Sequence, residues 1–530
     1  MSGHPSQFNL VDYFLGEERL PQFAKSAAIE FRDNRITYGE LRAEVDRWAQ
    51  RLLDRGVNEG DRVGLLLYDS PEFLACFLAI VSIGAICVPM NSFLSARDVA
   101  FILSDSDTRL LIVESELDEK LSEAGNHENS RAILNVDTET RQADEMDGGG
   151  DADNRSLRAL AATTRDSPAF LLYTSGSTGT PKGVLHLHRA IPFTVESYAA
   201  NVLHLTNEDR IFSSSRMFFA YGLGNSLSFP LAAGATVLLE PERMSPESLA
   251  RFIEDRKPTI FFGVPAVYLS LLDYRSGGGL VDFSSVRLCV SAGEALPSKI
   301  FEDWRREFGL MILDGIGSTE MLHIFISNRE GNSRAGSSGV VVEGCDARLI
   351  GDAAEQVDAN QPGNLWVRGG SATAGYWNRP ELTDATIVDG WVHTGDIYRR
   401  DEDGFFYHIG RSDDCFKVHG LWVSPIEVES VLASHEAVSE AAVVCAMDAS
   451  GLATVRAYVV IRQGERAQDF EDALEGQIRK FASSRLPQYK VPIHINFINE
   501  MPRTSTGKIQ RYKLRAVSKN SSGGSDDTEK

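Results

Sequence analysis

Residues Tyr173–Gly183 read Tyr-Thr-Ser-Gly-Ser-Thr-Gly-Thr-Pro-Lys-Gly, YTSGSTGTPKG. An apolar run, Ala169–Tyr173, precedes them and reads as a buried strand, and a helical pattern resumes at about His188. Small residues let successive backbone N–H groups approach a ligand closely. The hydroxyls of Thr174, Ser175, Ser177, Thr178 and Thr180 can then converge on phosphate oxygens, while Lys182 adds a positive point charge. A kinase-type loop closes on Gly-Lys-Ser/Thr. Here Pro181 precedes Lys182 and Gly183 follows it, so this is a different phosphate loop. The plain alternative is a flexible Ser/Gly linker, but a linker rarely sits directly after a buried strand with a Pro-Lys-Gly close.

Outward from this stretch, helical patterns alternate with short Val/Ile/Leu runs. A β piece at Ala28–Arg32 leads to a helix from about Tyr38 to Arg55 and a strand at Arg62–Leu67. Further runs are Leu110–Val113, Phe170–Tyr173, Thr236–Leu239, Thr259–Gly263, Leu288–Val290 and Met311–Leu313. Strand–helix alternation of this kind predicts a parallel α/β sheet. After about residue 335, glycines punctuate short Val/Ile/Trp runs, which predicts a β-rich subdomain. From Asp414 a compact α+β unit follows, with helices near Pro425–Ala433 and Asp469–Phe481 and strands near Ala441–Ala446 and Arg456–Arg462. Residues 138–156 read as a polar surface loop, and residues 518–530 as a disordered tail. The expected fold is therefore α/β: a large N-terminal domain, 1–412, of stacked α/β subdomains plus a β-rich subdomain, then a small mobile α+β domain, 413–517.

Composition sets limits on function. The chain has 530 residues, 53 Lys+Arg and 75 Asp+Glu, for a net charge of −22. So acidic a chain does not bind DNA or anionic lipid through its overall field. Six scattered cysteines include no CxxC pair, which excludes a zinc ribbon and fits a reducing compartment. No signal peptide is read at the N-terminus, and the expected location is the cytoplasm. Phe73–Met90 is uncharged and nearly long enough to span a bilayer, but Gly84 and Pro89 break it into a buried helix and a short strand, Ala85–Val88.

YTSGSTGTPKG resembles the phosphate loop of the adenylate-forming enzymes: acyl- and aryl-CoA synthetases, peptide-synthetase adenylation domains and luciferases. The family's other motifs follow in order. SAGEALP (Ser291–Pro297) is similar to the adenine-contacting segment, and DGIGSTE (Asp314–Glu320) to the segment that holds adenine, α-phosphate and Mg²⁺. WVHTGD (Trp391–Asp396) resembles the ribose-binding strand. GRSDD (Gly410–Asp414) carries the ribose arginine and the hinge, and PRTSTGKIQR (Pro502–Arg511) the lysine of the mobile domain.

The resemblance implies an ATP site of Thr174, Ser175, Gly176, Ser177, Thr178, Gly179, Lys182, Ala292, Gly293, Glu294, Asp314, Gly315, Ile316, Asp396 and Arg411. It implies catalytic roles for Lys508, Thr319 and Glu320, with Glu320 holding Mg²⁺. Asp413 is the implied hinge, and Gly420 the residue lining the path of coenzyme A. Ile316 stands where the family has an aromatic residue, so an apolar face replaces a stacking ring. Taken alone, Glu320 also reads as a helix N-terminal carboxylate and Lys508 as a solvated lysine; their place in the motif series decides between the readings.

The stretches Met217–Leu231, Gly317–Arg329 and Asp413–Glu429 resemble the benzoate–CoA ligase branch, with departures at Cys415 and His419. The implied acid pocket is Phe219, Ala220, Tyr221, Ala292, Gly317, His323 and Ile324. Small residues leave a flat slot, and Tyr221 and Ile324 face a ring. His323 reads either as a group for the substrate or as a buried histidine bonded to its own protein.

The expected activity is an aromatic acid–CoA ligase of aromatic-compound degradation, using ATP, Mg²⁺ and coenzyme A. Its alternatives are an adenylation enzyme loading a separate carrier protein and a catalytically silent binding protein. The chain is expected as a monomer or homodimer, and the setting of Lys508 resembles sites modified by protein acetyltransferases.

Overall fold

The structure, a computed structural model, describes residues 6–123, 132–139, 159–175, 181–419, 421–448, 452–462, 468–503 and 509–515. Most of the expected 138–156 loop and the whole expected tail lie outside the described residues.

Packing divides the chain into two units. The first is Met1–Ala347 with Trp366–His393, and the second is Arg348–Leu365 with Thr394–Lys530. This differs from the boundary expected at 412/413. Phe406–Arg411 lies antiparallel against the segment that begins at Asp396, so both go with the later residues.

The first unit contains two largely parallel sheets. One has nine strands, and its parallel centre runs Ile312–Gly317, Leu288–Ser291, Ile260–Gly263, Arg210–Ser213, Thr236–Leu239, Ala27–Phe31. The other has seven, in the order Gly375–Tyr376, Pro181–Leu187, Pro168–Ser175, Ile86–Pro89, Arg62–Leu66, Thr108–Val113, Ala132–Asn135. Its parallel centre ends in an antiparallel hairpin, Pro168–Ser175 with Pro181–Leu187. Parallel strands covered on both faces read as continuous apolar runs, which is why the short Val/Ile/Leu segments located them.

Helix Tyr38–Asp54 starts at a capping box in which Thr37 and Glu40 satisfy each other's backbone N–H groups. It buries Leu41, Val45, Trp48, Ala49 and Leu52, one stripe at helical spacing. The long apolar stretch is a helix, Pro71–Ser82, capped by Ser70, then a left-handed turn at Gly84 (φ +76°) and the strand Ile86–Pro89. Both elements are buried in the first unit's core. No described helix is long and apolar enough to cross a membrane.

In the second unit, Val438–Met447, Ala453–Ile461 and His494–Phe497 form a three-stranded sheet. Helices Pro425–Ala433 and Gln468–Ser483 contribute Val428, Leu432, Leu474 and Ile478 to its core.

Candidate active site

Strands Pro168–Ser175 and Pro181–Leu187 pair on either side of the expected phosphate loop. Thr174 pairs with Lys182, and Ser175 with Pro181, in antiparallel register. Pro181–Leu187 is thus a strand, where the sequence suggested nothing regular before the helix that begins at Ala190. Residues Gly176, Ser177, Thr178 and Gly179 lie outside the described residues.

Three side chains converge beside this hairpin. The Tyr376 hydroxyl donates to Glu320 Oε1 at 2.6 Å and accepts from Lys182 Nζ at 3.0 Å. Lys182 Nζ lies 3.6 Å from the same carboxylate oxygen. Glu320 is in the turn after strand Ile312–Gly317, not at a helix N-terminus, and Leu322 in that turn has φ +65°. The turn is tied down from two sides. His186 Nε2 donates to the Thr319 carbonyl at 2.9 Å, and the Thr373 N–H donates to the Glu320 carbonyl at 2.8 Å. Burial lowers His186 to about 4, so the ring is neutral and stacks on Phe170.

The adenine segments leave the C-terminal ends of adjacent parallel strands, with Ser291 opposite Asp314. That edge is where open α/β sheets bind ligands. Ala292 is buried, Gly293 turns with φ +92°, and Glu294 is exposed. Asp314 is buried, and desolvation pushes its carboxyl well above the usual range. Its backbone carbonyl accepts from both the N–H and the side-chain amide of Asn328. Gly315 and Ile316 continue the strand in antiparallel pairing with Ser327 and Ile326.

The expected acid pocket is largely brought together. Phe219 precedes, and Ala220 and Tyr221 begin, the short helix Ala220–Leu223. The Tyr221 ring lies edge-on to Phe262 and 5.5 Å from the His323 ring. Ala292 and Ile324 share one apolar cluster, against which Tyr221 packs. Gly317 admits no side chain, since a Cβ there would come 2.7 Å from the His323 carbonyl oxygen. His323 is held by the protein: Nε2 is 3.2 Å from Asn225 Oδ1, and the ring packs on Tyr198 and Phe229. Burial lowers it to about 3. Of the two readings of His323, the geometry favours the buried, protein-bonded one.

The second unit carries the expected ribose pair. Asp396 and Arg411 face each other across an antiparallel ladder. Arg411 Nη1 reaches Asp396 Oδ1 at 3.3 Å, and His408 Nε2 lies 3.5 Å from the same oxygen. Burial opposes the Asp396 charge, but His408 and Arg411 outweigh it and hold the carboxyl below its ordinary range. Asp413 stands 3.6 Å from Arg411, and its carbonyl accepts from Arg515. Cys415 is buried beside Gly410, where a Cβ would lie 2.5 Å from its sulfur. His419 holds φ +51°, a backbone that suits the small residue expected there. Lys508 and Gly420 lie outside the described residues, but Arg511 anchors the end of the lysine motif through a bidentate contact with Glu429.

Sequence reasoning missed Tyr376, His186, Asn225 and His408. Two signals were available. Once Pro181–Leu187 is a strand, period-two alternation puts Lys182 and His186 on one face. His408 lies on the strand that ends at Arg411, three residues before it. Tyr376 lies 194 residues from Lys182, beyond any local pattern.

Comparison with known proteins identifies the family. The family model described as AMP-binding enzyme matches residues 16–377, and that of the AMP-binding enzyme C-terminal domain matches 427–508. A benzoate–CoA ligase of Thauera aromatica is 40% identical over 529 residues, covering 97% of each chain. The anthranilate CoA ligase AuaEII, solved in complex with anthranoyl-AMP, is 37% identical with a TM-score of 0.88, covering 98% of each chain. A benzoate CoA ligase from Burkholderia xenovorans LB400 is 35% identical with a TM-score of 0.84, covering 96% of this chain and 100% of that one. With family models matching both of these ranges and a relative of 40% identity over nearly the whole chain, this chain belongs to the family of AMP-binding enzymes.

Proposed function

We propose that this chain is an ATP-dependent aromatic carboxylic acid–CoA ligase that works through an acyl-adenylate and releases AMP and pyrophosphate. The observation that carries the reading is the convergence of Lys182 and Glu320 on one hydroxyl beside the phosphate hairpin. The aromatic-acid ligases to which the chain is similar over nearly its whole length support it.

A carboxylate acylates poorly because oxide would have to leave. Attack of a carboxylate oxygen on the α-phosphorus of ATP expels pyrophosphate and makes AMP the later leaving group. The thiol of coenzyme A then attacks the acyl carbon and AMP departs. Charge gathers on the α-phosphate in the first step, so positioned cations and donors do most of the work. Lys182 and the loop hydroxyls hold phosphate oxygens, Thr319 donates to the α-phosphate, and Lys508 bridges it to the incoming carboxylate. Asp396 and Arg411 fix the ribose, and Asp314, Gly315, Ile316, Ala292, Gly293 and Glu294 frame the adenine. Glu320 offers the single protein carboxylate that suits Mg²⁺ bound chiefly by nucleotide phosphates. That ion, when bound, neutralises phosphate charge.

Phe219, Ala220, Tyr221, Gly317 and Ile324 form the slot for the ring. His323 is neutral and paired with Asn225, so it shapes this slot and carries no charge into it. No cation or carboxylate is among these residues, which favours benzoate or a neutral analogue.

Pyrophosphate release with benzoate, measured with and without coenzyme A, tests the proposal. Release in both cases, with benzoyl-CoA formed only when coenzyme A is present, is expected. Release with no thioester would favour delivery to a carrier-protein thiol, and no release with any aryl acid would leave a binding protein.

A further inference from the structure

Resting on the reading of Lys182 and Glu320 as the phosphate and cation residues, we propose that Tyr376 is a positioning residue that keeps their ion pair long and easily opened until nucleotide arrives. Its hydroxyl has one proton and two lone pairs, and both kinds of site are used: the proton goes to Glu320, and a lone pair receives Lys182. The two charges are already 3.6 Å apart, within ion-pair range. A lysine on a flexible stem would draw this long pair together if neither group had another partner. A closed pair is mutually neutralised and must be broken before either group meets a phosphate or a cation. The hydroxyl beside the pair satisfies both groups with a partner that carries no charge and is easily exchanged.

The tyrosine is well placed for this. It is 5% exposed, and Lys182 Nζ lies 4.2 Å from its ring centroid, a cation–π contact that holds the stem beside the ring. Its backbone pairs with Val184 on the hairpin, and its N–H donates to Thr383 Oγ1 at 2.9 Å. The segment Ser371–Trp377 also bonds the Glu320 turn through Thr373 and Ser371. One short stretch thus bonds both the strand that carries Lys182 and the turn that carries Glu320.

Tyr376→Phe keeps the ring and deletes only the hydroxyl. The test is equilibrium binding by calorimetry on the full-length protein, with ATP titrated across Mg²⁺ concentrations and AMP titrated without metal. The Mg²⁺ midpoint for ATP binding is expected to rise about tenfold in the variant, while metal-free AMP affinity changes less than twofold. Adding Tyr376→Phe to Lys182→Gln should then move the Mg²⁺ midpoint no further, because no cation is left to close on Glu320. This second comparison separates spacing from loss of packing. An unchanged midpoint, an equal loss for AMP and ATP, or a full further shift in the Lys182→Gln background would overturn the proposal. If the wild type binds neither nucleotide, the nucleotide reading itself fails, and the proposal with it.

Discussion

Asp314 and Asp396 are buried to a similar degree, 4% and 9% exposed, yet their carboxyls are driven in opposite directions. Asp314, at the end of a parallel strand in the first unit, is raised well above the ordinary range by desolvation that neighbouring donors do not offset. Asp396, on an antiparallel ladder in the second unit, is lowered because Arg411 and His408 outweigh the same penalty. Burial alone does not decide the charge of a carboxyl; the cation opposite it does. The segment expected to meet adenine therefore presents a carboxyl that resists ionisation, and the segment expected to meet ribose presents one held as an anion.

If the second unit acts through such fixed charges, removing its lysine should have the largest effect. Lys508→Ala is expected to slow adenylate formation about a thousandfold, on the order of losing a preorganised electrostatic group. Thioester formation from added acyl-AMP should hardly change, since that step expels AMP. Equal loss in both half-reactions, followed in rapid-mixing assays, would refute the assignment. Acetylation of Lys508 removes the same charge and should mimic the alanine variant. Mass spectrometry of protein from cells grown with and without aryl acids would detect it.

Asp413→Pro tests whether the second unit must also reorient. Proline fixes φ near −65° at the expected hinge. The variant should release pyrophosphate in a single turnover yet lose most conversion of acyl-AMP to acyl-CoA. Loss of neither or of both half-reactions in folded protein would remove Asp413 as the hinge.

Asp396→Asn sharpens the comparison itself. AMP affinity, measured by calorimetry, should fall about 10- to 100-fold, the range for a bond to a charged group. The wild-type carboxyl lies lower folded than unfolded. Its contribution to stability is therefore complete above its unfolded value of about 4 and lost as pH falls through the lower folded value. Acid unfolding of Asp396→Asn should lack that component.

Asp69 is the intermediate case. Arg216 stands 3.7 Å away and the Met217 N–H donates to it, but burial still raises it to about 6. A raised acid binds its proton more tightly when folded, so its ionisation weakens the fold as pH climbs from about 4 through 6. Asp69→Asn should therefore gain on wild type across that window, by on the order of 1 kcal/mol. A pH-independent difference in melting temperature would show the carboxyl to be ionised throughout.

The smallest effect should come from Asp314→Asn. Asparagine keeps the size of the carboxyl and removes only a charge that burial already opposes, so ATP affinity should change less than about threefold. A loss as large as that of Asp396→Asn would break the contrast between the two sites.

The sequence made one side of this comparison far more legible than the other. Asp396 and Arg411 were paired by motif, and the ladder places them opposite each other. The strands at Thr236–Leu239 and Ile260–Gly263 were visible because buried parallel strands are uninterrupted apolar runs. Pro181–Leu187 was not visible, because Lys182, His186 and a leading proline disguise it as loop. Tyr376 and Asn225 act across 194 and 98 residues, on Lys182 and His323, and sequence periodicity carries no information at such separations.

The bridge between Arg503 and Ile509 has a consequence for the lysine between them. The Gln510 N–H donates to the Pro502 carbonyl, and Arg503 is paired with Glu440, so both ends of the five intervening residues are pinned to the same fold. Ile509, the residue that follows Lys508, is thus held in place by the bridge itself. The expected adenylation lysine is one peptide bond from that anchored residue, so the anchor, and not the length of the loop, sets where it can reach.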